Sequence, residues 1–233
     1  MVATGGSQVP RIMIVEAAYM KEIRTRASLH FRGWPVGPEY LRLAAAGAKN
    51  GRAWTEFKLW SADWYLRTLV ILHERSGELT RLVGEEIALD GYLAAVSSAF
   101  DSATYGLIQA IEEARNVPQA QRTPQHQISW TTATNLAASP PAAVLNCMTA
   151  VAAALLGWNA PQPSGWLAQA RRLRNRSTHM DTIARLHFVP HQPSKLKVPG
   201  LGDVDPIPYL SGLLPQIRTL TSSILADADT INP

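Results

Sequence analysis

The sequence predicts an all-α helical bundle with one short β-hairpin before its last helix. Three observations carry this. Apolar residues recur at three- and four-residue steps along most of the chain. Two-residue alternation appears in only one place, near residues 187–198. Clusters of Pro and Gly separate the periodic stretches. With 233 residues, 46% hydrophobic and 17% charged, the chain is globular rather than disordered and long enough for a sizeable core.

The elements are expected in the following order. Residues 1–10 form a frayed start without the apolar run of a signal peptide. A helix over 12–31 turns Ile14, Ala17, Ala18, Met20 and Ile23 inward, and a short helix follows over 38–48. Together 1–50 make an N-terminal helical extension packed on the bundle, and 51–233 make the main domain. A helix over 54–75 carries Trp54, Phe57, Trp60 and Trp64 as an aromatic stripe, read as core packing rather than as a base-stacking surface. The longest helix, 79–116, points Leu82, Ile87, Leu93, Val96, Phe100, Leu107, Ile108 and Ile111 at the core, with Gly84, Gly91 and Gly106 as places for a bend. Residues 117–141, rich in Pro and Gln, read as a long loop or tether with one or two helical turns over 131–138. The uncharged, Ala-rich segment 142–158 reads as a buried core helix, since it lacks the basic anchors of a membrane span. Ser164 is the expected N-cap of a helix over 166–186. Residues 187–189 and 195–198 form the hairpin. Asp205 caps a last helix over 206–227, whose buried face is Leu210, Leu213, Leu214, Ile217, Leu220 and Ile224 and whose terminal Asp227 and Asp229 oppose the macrodipole and predict fraying.

The chemistry concentrates in residues 171–179, Arg-Arg-Leu-Arg-Asn-Arg-Ser-Thr-His. Arg171, Arg172, Arg174 and Arg176 crowd two helical turns with no acid among them. At about 100° per residue they cannot share one face, so the helix is basic most of the way round. Asn175 and His179 stack on one face, and Arg174 and Thr178 on the next. Arginine offers a permanently charged fork that fits a phosphate, and histidine exchanges a proton near neutral pH. Together they suit phosphoryl transfer without a metal. Asp101 lies just after the small residues 97–99 and could pair with an arginine of this helix.

Other chemistries find little support. His187 and His191 lie in an extended segment without a nearby Asp or Cys, so no metal site is expected. Gly200-Leu201-Gly202-Asp203 lacks the strand-to-helix setting of a dinucleotide loop. Ser177 and Thr178 have no third group for a serine-type triad. The single cysteine, Cys147, excludes an internal disulfide, fits a reducing, cytoplasmic compartment and reads as a small buried hydrophobe. The net charge of +4 permits an anionic partner without requiring one.

The hexad Arg174-Asn175-Arg176-Ser177-Thr178-His179 resembles the signature of the HEPN superfamily: an arginine, often followed by asparagine, and a histidine after four to six intervening residues. The order of paired long helices, motif helix, hairpin and closing helix over about 52–227 is also similar to a subset of that superfamily; the first fifty residues are not covered. Many HEPN domains are metal-independent ribonucleases of toxin–antitoxin and antiviral systems, and others only bind or dimerise. The resemblance implies attack by an RNA 2′-OH on its adjacent phosphate, with no cofactor. In that scheme His179 is general base or acid, Arg174 neutralises the transition state, and Asn175 orients the imidazole or holds a phosphate oxygen. Arg171, Arg172, Arg176 and Thr178 would contact flanking phosphates, and Asp101 would support the arginines. The implied partners are RNA or a nucleotide, a second copy in a homodimer, and an antitoxin or defence-system protein, with no membrane. The alternative is a non-catalytic HEPN-like module binding nucleotide, RNA or protein through the same surface. Five residues rotate a regular helix by about 500°, so Arg174 and His179 diverge by ~140°. One site needs either a distorted turn or a partner helix across a two-fold axis.

Overall fold

The computed structural model describes residues 51–73, 79–178, 186–187 and 194–232. The N-terminal extension expected over 1–50 lies outside the described residues, as do His179 and His191. Two long antiparallel-sequence neighbours, α1 (Gly51–His73) and α2 (Leu79–Ala114), pack along each other and against the closing helix α6 (Pro206–Ile231). Three shorter helices, α3 (Trp130–Ala138), α4 (Met148–Ala154) and α5 (Trp166–Thr178), lie between them in the chain, and α2 touches α3 and α5 as well as α1 and α6. The fold is therefore mostly helical, with a small sheet before the last helix.

Helix α1 buries Gly51, Thr55, Leu59, Ala62, Leu66, Leu69 and Leu72, at steps of three and four. The aromatic stripe is not that buried face. Trp54, Phe57, Trp60 and Trp64 are half-buried on its flank, where Trp54 meets Phe57 edge-on at 5.6 Å. The helices approach closely beside the stripe. A Cβ on Gly51 would lie 2.4 Å from the Gly106 nitrogen, and one on Gly91 would lie 2.3 Å from the Tyr65 ring. Glycine is what admits the other helix's backbone at Gly51 and the Tyr65 ring at Gly91.

Gly91 and Gly106 are thus seats for α1 rather than breaks, and α2 runs as one helix of 36 residues. It buries Leu93, Val96, Phe100, Leu107, Ile108 and Ile111 as expected, but Ile87 is 64% exposed. Tyr92, not anticipated in the core, is fully buried and donates its hydroxyl to the Leu210 carbonyl at 2.6 Å. Asn116, at φ 56°, ends the helix, with Val117 N–H bonding back to Glu112 O and Asn116 N–H to Glu113 O.

Residues 117–141 are clamped rather than a free tether. The Arg115 guanidinium donates to the carbonyls of Leu136, Ser139 and Pro141, and buried Glu112 accepts from both Thr123 N–H and Thr123 Oγ1. Ser129 caps α3 by accepting from Thr132 N–H at 3.0 Å.

The buried helix expected over 142–158 shrinks to the seven residues of α4, and Val144, Met148, Leu156 and Trp158 are exposed. Its start is fixed by Asp227 on α6. That carboxylate accepts from Cys147 N–H at 2.9 Å and from the Asn146 side chain at 3.0 Å. Gly157, at φ 74°, then turns the chain away. Asp227 and Asp229 therefore do not fray α6, which continues to Ile231; Asp229 receives Arg52 at 2.6 Å. The other end of α6 forms as the sequence predicts: Asp205 accepts from Ile207 N–H, and the six expected apolar residues are buried.

The hairpin has a third strand that the sequence reading lacked. Strand β1 (Leu186–His187) pairs antiparallel with β2 (Lys195–Val198), and β2 with β3 (Gly202–Val204). Strand β2 turns Leu196 and Val198 inward and Lys195 and Lys197 out. Gly200 and Gly202, at φ 85° and 79°, make the β2–β3 turn in a conformation that favours glycine.

Candidate nucleic-acid interface

Helix α5 begins at Trp166 as expected, but the residue that caps it is Gly165, not Ser164. The Gly165 carbonyl accepts from Gln169 N–H at 2.9 Å, and a Cβ here would meet the Ala154 carbonyl oxygen at 2.4 Å. Glycine lets the start of α5 press against the end of α4. Leu167, Ala170 and Leu173 then bury one face of α5 in the bundle. Gln169 is buried too and spends its amide on the Pro163 carbonyl, at 3.0 Å, and on the Tyr209 hydroxyl, at 3.5 Å. These contacts fix both the rotation and the depth of the basic helix.

Arg171 is held from three sides. Its guanidinium lies 5.4 Å from the Phe100 ring centroid and 4.9 Å from that of Trp158, and one Nη donates to Asp101 Oδ1. The ion pair expected between Asp101 and an arginine of this helix is thus present. The Arg171 side chain is 17% exposed and the Asp101 side chain 44%. A guanidinium already shared between a carboxylate and two rings has little left for phosphate, so Arg171 anchors the helix instead of serving as the expected flanking ligand.

The residues that follow differ in exposure. Arg172 is exposed and forms no hydrogen bond or ion pair among the described residues. Arg174 is half-buried and Asn175 exposed, three and four residues after Arg171 and so on the same side of α5 one turn further on. Arg176 and Thr178 belong to the last turn of α5, but their side chains, like the whole of His179, lie outside the described residues. The structure brings Asp101 to Arg171, with Arg174 and Asn175 one turn further along α5.

Two groupings were missed by sequence reasoning. Trp158 was read as the end of a buried helix, yet it stands exposed over Arg171. No periodic signal separates an indole that caps a core from one that caps an arginine. The second grouping joins His73, Glu85 and Ser194, from α1, α2 and the start of β2. His73 Nδ1 lies 3.2 Å from Glu85 Oε1, while Ser194 Oγ donates to Glu85 Oε2 at 2.8 Å. Serine gives its proton to the carboxylate rather than to the imidazole, so the trio fastens three elements together and is not a hydrolytic relay. Its members are too far apart in sequence to form a motif.

Among the described residues no cluster of three His, Cys, Asp or Glu could hold a metal ion, and no helix is long and apolar enough to cross a membrane. Cys147 is buried, and burial together with its hydrogen bond to Asp227 pushes the thiol pKa up to about 12. Burial alone would raise Asp227, but the hydrogen bonds from Cys147 and Asn146 outweigh it and hold the carboxyl below its ordinary value. No family model, curated protein or solved structure matches the chain.

Proposed function

We propose that this chain is a metal-independent endoribonuclease of toxin or defence type, built on a HEPN-like bundle and working in the cytoplasm. The observation that supports this most is the placement of Arg174 and Asn175. Asn175 is exposed and Arg174 half-buried, one turn beyond the Asp101–Arg171 pair on a helix that Leu167, Ala170 and Leu173 lock into the core. A cation and an amide held rigidly can stabilise charge that develops on a phosphate, often the largest single contribution to catalysis. His179 would exchange the 2′-OH or leaving-group proton, a role worth ~10²–10⁴-fold. The ~140° divergence between Arg174 and His179 favours a homodimer in which each site takes Arg174 from one copy and His179 from the other.

The test compares wild type with His179→Ala and Arg174→Ala on end-labelled RNA in excess EDTA. Cleavage is expected in wild type alone, leaving 2′,3′-cyclic phosphate and 5′-hydroxyl ends, and refolding the two dead variants together should restore up to about half the wild-type activity per heterodimer if sites form across a two-fold axis. RNA that binds but is never cut would reduce the protein to a non-catalytic RNA-binding module. Cleavage that disappears in EDTA and returns with Mg²⁺ would refute the metal-independent scheme.

A further inference from the structure

The exposed indole of Trp158 is placed oddly for a residue without a ligand. Gly157, at φ 74°, turns the chain out of α4, and Trp158 N–H bonds to the Leu155 carbonyl at 2.9 Å, fixing the backbone that carries the ring. Beneath the indole is a layered stack: the Trp158 ring, then the Arg171 guanidinium at 4.9 Å, then the fully buried Phe100 ring a further contact inward at 5.4 Å from that guanidinium. Asp101 closes the side of the stack. Trp158 remains 41% exposed, and among the described residues no other ring packs on it. The result is an aromatic plane held by a charged and aromatic foundation rather than by apolar core.

We propose that Trp158 is a base-stacking platform for an unpaired nucleotide, which makes single-stranded RNA the substrate class. The proposal rests on the ribonuclease reading and deepens it. Every base has a face that can stack on indole, but only an unpaired base can leave its own helix to do so. Arg171 lies three to four residues before Arg174 and Asn175, a rise of about 5 Å along α5. A base stacked on Trp158 would therefore sit roughly one turn from the hexad, beside the nucleotide whose phosphate the hexad contacts. Exposed Arg172, next along the helix, is available for the backbone of the same strand. Fixing the indole in advance removes the ordering cost that a mobile surface tryptophan would incur on binding.

The experiment measures binding of a short fluorescein-labelled unpaired RNA and of the corresponding duplex, in a His179→Ala background so that nothing is cut. Trp158→Leu keeps apolar bulk over Arg171 but has no π face; Trp158→Phe keeps the face. Thermal unfolding checks that each variant is folded, and the Phe variant carries the comparison if the Leu variant is not, through an RNA with one abasic position. Trp158→Leu is expected to weaken single-strand binding about tenfold, the loss of one stacked base, with Trp158→Phe recovering most of it. The abasic RNA should lose affinity for the Phe and native proteins alike. Duplex binding should be weaker throughout and unchanged by the Leu variant. Native affinity for single strands in folded Trp158→Leu, or no penalty for any abasic position, overturns the platform. The two readings separate cleanly. If the Leu variant loses binding while native protein never cuts RNA, the platform stands and the nuclease falls; if native protein cuts and the Leu variant binds normally, the reverse holds.

Discussion

Two carboxylates tie the segment between α3 and the sheet to the long helices, and they do so in opposite surroundings. Asp227, on α6, is 3% exposed and holds the start of α4 through Cys147 N–H and the Asn146 amide. Asp101, on α2, has a side chain 44% exposed and holds Arg171 of α5. Both face donors more than sixty residues away in sequence, yet their energetic roles cannot be the same. The buried Asp227 carboxylate is the acceptor of a buried backbone N–H, that of Cys147, which has no water to turn to if the carboxylate is removed. An ion pair open at its carboxylate end is reached there by water, which screens it and can hydrate the carboxylate. Asp227 therefore works for the fold, and Asp101 for the orientation of one cation beside the candidate site.

Mutation should expose the contrast most strongly in stability. Asp227→Ala leaves the buried Cys147 N–H without its acceptor, while the exposed Asn146 amide can turn to water, so a loss of about 1–3 kcal/mol is expected in urea unfolding. Asp101→Ala should cost less, about 1 kcal/mol, because the Asp101 end of the pair is open to water and the two rings still hold Arg171. Equal losses would erase the distinction. Acid sharpens it further. The native carboxyl of Asp227 titrates below its ordinary value, so its contribution is complete above about pH 4, the unfolded-state value, and fades as pH falls through the lowered native value. The stability gap between native protein and Asp227→Asn should be widest near neutrality and should shrink steadily below about pH 4. A gap that stayed constant into acid would mean that the carboxylate charge is not what holds α4.

The same contrast explains which parts of the molecule the sequence discloses. The buried face of α6 and its Asp205 cap are local patterns, written in steps of three, four and two residues, and they form where they are expected. The Ala-rich stretch 142–158 does not form one long helix because the residue that fixes where its helix starts, Asp227, is eighty positions away from Cys147. The aromatic stripe of α1 is half-buried beside the core face, and periodicity, which finds the indoles, does not show the close Gly51–Gly106 and Tyr65–Gly91 approaches next to it. At the candidate site, the basic run and the acid that answers it are readable as charge, and Asp101 does meet an arginine of α5. Which arginine it meets depends on how deep α5 sits, and that depth is set by Gly165 against α4. Composition therefore names the cations of α5, while distant packing decides that Arg171 is spent inside the fold and Arg172 is not.

That division gives the smallest effect and the finest test of the Asp101 site. Each cation that neutralises a phosphate releases counterions, so the logarithm of affinity for single-stranded RNA falls against the logarithm of salt by about 0.7 per contact. Arg172 is exposed with no ion pair among the described residues, so Arg172→Ala should flatten the slope by about 0.7. Arg171 is already neutralised by Asp101 and roofed by Trp158, so Arg171→Ala should leave the slope nearly unchanged, even where it weakens binding by loosening the helix. Asp101→Asn keeps the side chain's size but removes its charge. It should release the Arg171 cation to the strand, steepening the slope by up to about 0.7 and tightening binding at low salt. The three slopes must be read together. If Arg171→Ala flattened the slope as much as Arg172→Ala, and Asp101→Asn did nothing, Arg171 would be contacting phosphate after all. The Asp101 pair would then open whenever RNA arrives, and the two carboxylates would differ as a fixed strut differs from a latch.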